Sequence, residues 1–181
     1  MGQQGSAQRR FDAFALVGSH GEIAGTVDAF DLDRVQELLG EDDGEVPPAE
    51  VNYRIRGERD SLGRPVLAIE LEGRLPLECQ RCLRVFEWPV QQRTTVLLAR
   101  HEHELEQLDE IDEREVLLAD GPLDALEIVE DELVLSLPYV PRCDRADCLA
   151  LDAAARTNED AGTAPSPFGA LAALKGSKAP D

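Results

Sequence analysis

The sequence predicts an α+β fold, in which an antiparallel β-sheet or open barrel carries two packed helices. Residues 51–100 contain successive runs of alternating apolar and polar side chains, which is the period of β-strands. The segments 28–39 and 122–137 instead place apolar residues at helical spacing. Short turns separate the strand runs, and short connections favour antiparallel pairing.

The N-terminal region is predicted to form one strand and one helix. Residues 11–17 alternate weakly, which indicates a strand. In the segment 28–39, Asp31 is the candidate N-cap and Gly40 would end the helix. The acidic segment 41–48 contains glycine and proline, so it is predicted to be a linker.

The middle of the chain is predicted to supply the sheet. Residues 51–56 and 66–77 carry the alternating pattern on either side of a turn at residues 60–63. Residues 84–100 are rich in β-branched and aromatic side chains and predict one or two further strands, with Pro89 at an edge or a bulge.

The C-terminal part contains the clearest helix pattern. Residues 122–137 have acidic residues near the start, a continuous apolar stripe, and Pro138 directly after the end. The acidic residues 101–120 before this helix predict a partly ordered connection. Residues 152–181 are rich in alanine, glycine and proline and predict a mostly disordered tail. We therefore expect a single domain over residues 1–151.

The overall charge excludes some classes of function. The 181 residues include 37 acidic and 18 basic side chains, so the net charge is −19, and 43% of the residues are apolar. This balance excludes a protein that binds nucleic acid through its overall positive charge, and it argues against attachment to an anionic membrane. No stretch approaches the roughly 20 apolar residues of a membrane span, and we expect a cytoplasmic protein.

The charge is distributed unevenly. Residues 54–100 contain nine arginines and six acids, whereas residues 101–132 contain fourteen acids and one arginine. The planar guanidinium fork of arginine suits phosphate contacts. Two interpretations stay open for the basic strands: they form a solvated sheet face, or they contact RNA phosphates.

Four cysteines occur as two pairs, Cys79 with Cys82 and Cys143 with Cys148. The spacers of two and four residues are those of structural zinc sites, in which four thiolates share one tetrahedral ion. Three alternatives remain open: reduced thiols without metal, a Cys-x-x-Cys redox pair, and disulfides, which are disfavoured in a reducing compartment. The redox interpretation requires the motif to open a helix, whereas predicted strands surround it.

Arginines flank both cysteine pairs. Arg81 and Arg84 accompany the first pair, and Arg142 and Arg145 accompany the second. They would partly offset the negative charge of a zinc tetrathiolate. Together with Arg93, they are the candidate RNA-binding residues.

One apolar pattern interrupts the tail. Phe168, Leu171 and Leu174 recur every three residues and predict a short helix within residues 166–175, which docks on a partner or packs on its own domain. The sequence contains no Gly-rich phosphate loop, nucleophile elbow or Ser/His/Asp constellation. We therefore predict no catalytic residues and no small-molecule substrate.

Four segments together resemble the YceD family, the large ribosomal RNA subunit accumulation proteins of bacteria and plastids. They are residues 77–82 (LECQRC), 124–133 (DALEIVEDEL), 137–141 (LPYVP) and 166–175 (SPFGALAALK). The resemblance implies a non-enzymatic role in the synthesis, processing or stability of 23S rRNA, and hence in ribosome biogenesis. One departure is Cys143, which stands where the proteobacterial pattern has histidine; both residue types bind zinc.

Three hypotheses about function follow. In the first, the protein acts on 23S rRNA or its precursor, and the basic strands face RNA. Residues 101–132 then either face basic ribosomal proteins or keep the protein from binding RNA indiscriminately. In the second, Cys79 and Cys82 belong to a thiol oxidoreductase. In the third, the protein is an acidic adapter that binds basic ribosomal proteins without contacting RNA.

Overall fold

The computed structural model describes residues 10–40 and 48–150. Among these residues, those up to 142 belong to one compact unit and residues 143–150 belong to a second. The first unit contains a five-stranded sheet whose strands lie side by side in chain order. Its strands are β2 (Glu22–Asp28), β3 (Glu50–Arg59), β4 (Pro65–Glu78), β5 (Val85–Ala99) and β6 (Val116–Leu118). Neighbouring strands are antiparallel except β5 and β6, and the sheet is open rather than closed into a barrel.

A two-stranded sheet and four α-helices complete the described part of this unit. The small sheet pairs β1 (Arg10–Phe11) with β7 (Leu123–Asp124). The helices are α1 (Ala13–Ser19), α2 (Asp33–Gln36), α3 (Glu102–Ile111) and α4 (Ala125–Ser136). The predicted α+β class with a mostly antiparallel sheet is confirmed, and more helices pack on it than the two expected.

The hydrophobic core lies against one face of the large sheet. In β3, buried and exposed residues alternate, with Val51 and Ile55 fully buried. The helices contribute Val17 from α1, Val35 from α2 and Leu133 from α4, all of which are buried in the same cluster. The predicted half-buried strands therefore face a core built mainly from aliphatic side chains.

The prediction of a strand over residues 11–17 is wrong, because these residues form the end of β1 and most of α1. The Oδ1 atom of Asp12 accepts a hydrogen bond from the backbone N–H of Ala15 at 2.9 Å and caps the helix. Ala13 and Val17, four residues apart, are both buried. The capped helical turn therefore overrides the weak alternation.

The predicted helix over residues 28–39 is only partly present. Ala29–Asp31 forms a 3₁₀ turn, and α2 is a separate single turn. Leu32 separates the 3₁₀ turn from α2 because its backbone is extended, with φ −105° and ψ 112°. Asp28 caps the 3₁₀ turn, so the expectation that Asp31 acts as the cap is wrong.

The acidic residues 101–120 are more regular than predicted. They contain α3 and β6, and the crossover through α3 makes β6 parallel to β5. The backbone N–H of Glu104 donates to Nδ1 of His101 at 3.1 Å, which caps α3. Strand β2 had no sequence prediction at all.

The remaining predicted elements agree with the structure. Residues 66–77 lie in the single strand β4, and residues 84–100 correspond to β5, in which Pro89 pairs in register with Arg74. Helix α4 confirms the predicted helix at 122–137, although it begins after Asp124, whose side chain accepts from the N–H of Leu126.

Some predictions fall outside the described residues. These are residues 41–47 of the linker predicted at 41–48, and the tail, including Phe168, Leu171 and Leu174. The single domain over residues 1–151 and the docking role of residues 166–175 therefore stay predictions. Among the described helices, none has the length and apolar character needed to cross a membrane.

Candidate metal centre and neighbouring arginines

The first cysteine pair lies in the tight turn that joins β4 to β5. The backbone N–H of Cys79 donates to the carbonyl of Arg84 at 3.0 Å, and the N–H of Leu83 donates back to the carbonyl of Cys79 at 2.8 Å. Leu83 adopts a left-handed conformation with φ 58° and leaves 69% of its surface exposed. These two bonds hold Cys79 and Cys82 on one narrow turn, as a metal-binding knuckle requires.

The second pair follows directly after residue 142. Cys143 precedes a helical segment that starts at residue 146 and contains Cys148. The backbone N–H of Leu149 donates to the carbonyl of Arg145 at 2.9 Å, which closes the first turn of that segment. Both cysteines are buried.

The four cysteine sulfurs form one cluster. The Sγ atoms of Cys79, Cys82, Cys143 and Cys148 all lie within 4.8 Å of one another. In a tetrahedral site with Zn–S bonds of about 2.3 Å, neighbouring sulfurs are separated by about 3.8 Å, so this spacing suits a single ion. Three of the cysteines are buried and Cys82 is half-buried. The cluster could therefore hold a metal ion, and an all-sulfur donor set suits zinc or another thiophilic metal.

Four of the five candidate RNA-binding arginines accompany the cysteines. Arg81 lies between the first pair and is half-buried, whereas Arg84 is exposed two residues after Cys82. Arg142 and Arg145 are exposed. Nε of Arg145 forms an ion pair with Asp147 at 3.4 Å, so its charge is partly offset.

Arg93 lies apart from this group. It is eight residues beyond the start of β5, about 26 Å along an extended strand. Its guanidinium pairs across the sheet with Glu70, which also contacts Arg54 at 3.8 Å and Arg56 at 2.6 Å. In this region of the sheet, the single negative charge of Glu70 is therefore shared among three arginines.

A ring of four charges was not predicted from the sequence. Nη2 of Arg64 lies 2.8 Å from Oδ2 of Asp112, and Nη2 of Arg114 lies 2.9 Å from Oδ2 of Asp60. Arg64 also pairs with Asp60, and Arg114 with Asp112. The ring joins the β3–β4 turn to the segment after α3. Since Arg64 and Asp112 are 48 residues apart, no local spacing pattern indicates the contact.

The ring changes the ionisation of its carboxylates. Burial opposes the charged form of Asp60, but hydrogen bonds from Arg114 and Arg64 outweigh it and lower the pKa of Asp60 below its usual range. Hydrogen bonds from the side chain and backbone of Arg114 lower the pKa of Asp112 in the same way. Both aspartates therefore stay ionised well into the acid range.

A buried carboxylate in α4 was also unexpected. Glu132 is buried, and its Oε2 accepts a hydrogen bond from Oγ1 of Thr94 at 2.7 Å. Nε2 of Gln92 donates in turn to the same Thr94 hydroxyl at 3.0 Å. Burial raises the pKa of Glu132, although the bond from Thr94 opposes this shift. The acidic pattern of residues 101–132 did not reveal which of its carboxylates are buried, namely Glu132 and Asp124.

Cys79 and Cys82 lie in a different structural setting from the cysteines of a thioredoxin-like redox pair. The pair lies between the antiparallel strands β4 and β5. A thioredoxin-like motif instead sits beside a βαβ unit at a helix N-terminus, where the helix lowers the thiol pKa. The hairpin position is more typical of a metal-binding knuckle.

A comparison with protein families relates the greater part of the chain to one known family. A family model described as "Large ribosomal RNA subunit accumulation protein YceD" matches residues 67–175. The matched stretch includes all four cysteines and α4, and it leaves out β2 and β3. No solved structure is significantly similar to this chain.

Proposed function

The chain belongs to the YceD family, and from this premise we propose that it is a non-enzymatic ribosome-biogenesis factor that acts in the cytoplasm on 23S rRNA or its precursor. The observation that carries the proposal is the family match, because the family description names the accumulation of large-subunit ribosomal RNA. The protein supports the synthesis, processing or stability of that RNA rather than transforming a small molecule.

Zinc is the metal proposed for the cysteine cluster. Four thiols with mutual sulfur distances within 4.8 Å match the donor number and spacing of a structural zinc site. Cys79, Cys82, Cys143 and Cys148 would each supply one thiolate. No coordination position is left for substrate in a site with four protein ligands, so a structural role is supported over a catalytic one.

RNA contact is proposed for the arginines that accompany the cysteines. Arg81, Arg84, Arg142 and Arg145 adjoin a candidate rigid centre, and three of them are exposed. Fixed guanidinium groups bind phosphate with less loss of entropy than arginines on a mobile segment. Arg93 completes the proposed set as a separate contact on β5, where it must exchange its ion pair with Glu70 for a phosphate.

Acidic surfaces suggest a second kind of partner. Residues 101–132 carry fourteen acids and one arginine, and the exposed acids of α3 belong to this stretch. This surface would attract basic ribosomal proteins and repel RNA from the remaining faces. The segment with Phe168, Leu171 and Leu174 is proposed as a docking helix for a protein partner. An adapter that binds only proteins is the second candidate function, and the net charge of −19 favours it.

Crosslinking in living cells tests the proposal and separates the two candidates. The full chain is crosslinked by ultraviolet light, and the attached RNA is sequenced while the attached peptides are identified. We expect 23S rRNA or precursor fragments joined to peptides that contain Arg81, Arg84, Arg142 or Arg145. Crosslinks to ribosomal proteins alone would favour the adapter. Unchanged 23S rRNA levels after depletion of the protein, together with no ribosomal crosslink, would contradict both.

A further inference from the structure

Strand β2 lies at one edge of the large sheet. In the part of the chain that the structure describes, β2 pairs only with β3. Glu22, Ala24, Thr26 and Asp28 are exposed along this strand. The strand contains no lysine or proline, the residues that commonly block an exposed edge.

Hydrogen bonds at the two ends of β2 fix the direction of its backbone groups. The N–H of Gly57 donates to the carbonyl of Gly21 at 3.0 Å, and the N–H of Ala29 donates to the carbonyl of Ala49 at 2.9 Å. Because hydrogen-bonded pairs alternate in an antiparallel ladder, the odd-numbered residues of β2 bond to β3. The backbone groups of the even-numbered residues Glu22, Ala24, Thr26 and Asp28 therefore point away from the sheet.

Charge and size indicate what this edge would accept. Carboxylates stand at both ends of the strand, about 20 Å apart at the rise of an extended chain. Glu22 lies 3.4 Å from Nε of Arg54 and Asp28 accepts from the N–H of Phe30, so added cations would share these two carboxylates with their present partners. Between them the small Ala24 and Thr26 leave room for an added strand. A second copy paired over the whole strand would set Glu22 opposite Asp28 twice, and like charges directly opposite destabilise a strand pair. A basic segment paired with β2 would instead place positive side chains opposite Glu22 and Asp28.

We propose that the outer edge of β2 binds an extended, basic segment of another protein, which adds to the sheet as a further strand. Main-chain hydrogen bonds to the even-numbered residues would provide affinity, and Lys or Arg side chains opposite Glu22 and Asp28 would provide selectivity. The inference does not depend on the rRNA proposal, because β2 lies outside the stretch matched by the family.

A capped peptide that alternates lysine and valine is the probe, and one that alternates glutamate and valine is its control. NMR amide exchange of the full chain is measured with each peptide at low salt. We expect the lysine peptide to slow the exchange of the amides of Ala24 and Thr26. The amides of Ile23 and Gly25, which already bond to β3, should change little and act as internal controls. The glutamate peptide should protect neither set.

Two variants separate backbone pairing from general attraction between charges. Ala24→Pro removes an outward N–H while keeping the ladder to β3, and it should weaken lysine-peptide binding about tenfold or more. Glu22→Lys leaves the backbone N–H groups in place and should also weaken lysine-peptide binding. This variant therefore tests the proposal even if the proline variant misfolds. Equal binding of both peptides, unchanged exchange at Ala24 and Thr26, or a β2-mediated dimer in sedimentation experiments would overturn the proposal.

Discussion

Cys82 differs from the other three clustered cysteines because it alone is partly open to solvent. Solvent would therefore reach a bound ion most easily from the side of Cys82. We expect the purified full chain to contain about one zinc, because four thiolates match its structural coordination. Cys82→Ser or Cys148→Ser should release the metal and lower the melting temperature, since metal affinity then no longer contributes to folding.

Elemental analysis of protein purified without chelators measures the zinc content, and calorimetry measures the melting temperature. Gln80→Ser, an exposed position in the same turn, is the matched control and should retain the metal. Absence of zinc, with four titratable thiols and unchanged melting in the cysteine variants, would contradict the metal centre. A strongly lowered pKa measured at Cys79 in that metal-free protein would support the oxidoreductase hypothesis instead.

The four-charge ring gives a prediction about acid stability. The pKa values of Asp60 and Asp112 are both lowered in the folded protein. The contribution of these residues to stability is therefore complete above the pKa of an unfolded aspartate, about 3.9, and is lost as the pH falls below it. Asp112→Asn should therefore reduce stability at neutral pH and flatten the loss of stability between about pH 5 and 2. Urea unfolding at a series of pH values measures this, with the exposed Asp120→Asn as control. Parallel pH profiles for wild type and Asp112→Asn would exclude the role.

The packing of α1 on β3 depends on a glycine. A Cβ atom added at Gly57 would lie 2.4 Å from backbone atoms of Leu16 and Val17, which cannot move without displacing the helix. We expect Gly57→Ala to destabilise the fold by ~1–3 kcal/mol. Gly18→Ala is the control, because its Cβ would meet nothing within 4 Å, and it should stabilise α1 by ~0.5–1 kcal/mol. Similar unfolding midpoints for the two variants in urea would refute this view of the packing.

Elements with a strong local pattern were predicted, and those defined by distant contacts were not. The stripe of α4 and the alternation of β3 arise from neighbouring residues, so the sequence alone indicates them. The three-residue strand β6 exists because it pairs with β5 beyond a crossover helix, which no local signal reveals. In the candidate site, the cysteine spacing predicted a cluster that the structure contains, because metal ligands follow short regular spacers. The ion pair of Arg93 with Glu70 depends on strand register and was not foreseen.

The net charge of −19 opposes long-range attraction between the whole molecule and a polyanion. Any direct RNA contact must then rely on a small group of arginines, whose charges act within about 10 Å at moderate salt. If Arg81, Arg84, Arg142 and Arg145 neutralise a few phosphates, log affinity should fall with log salt at a slope of about two to four in magnitude. A steeper slope would require a larger basic surface than these residues provide.

Charge reversal tests whether these arginines are required for RNA binding and for 23S rRNA accumulation. Arg81→Glu together with Arg84→Glu should abolish binding to 23S rRNA fragments and lower 23S rRNA accumulation in cells. A single-reversal control is Arg74→Glu, which changes an exposed arginine on β4 whose guanidinium pairs only with the exposed Glu87 among the described residues. Filter binding over a salt series and quantification of 23S rRNA in complemented cells provide the two readouts, with thermal melting as a check on folding. If a folded, zinc-loaded double variant retains both RNA binding and 23S rRNA levels, these arginines form a solvated surface, and the protein acts through the basic proteins that its acidic faces attract.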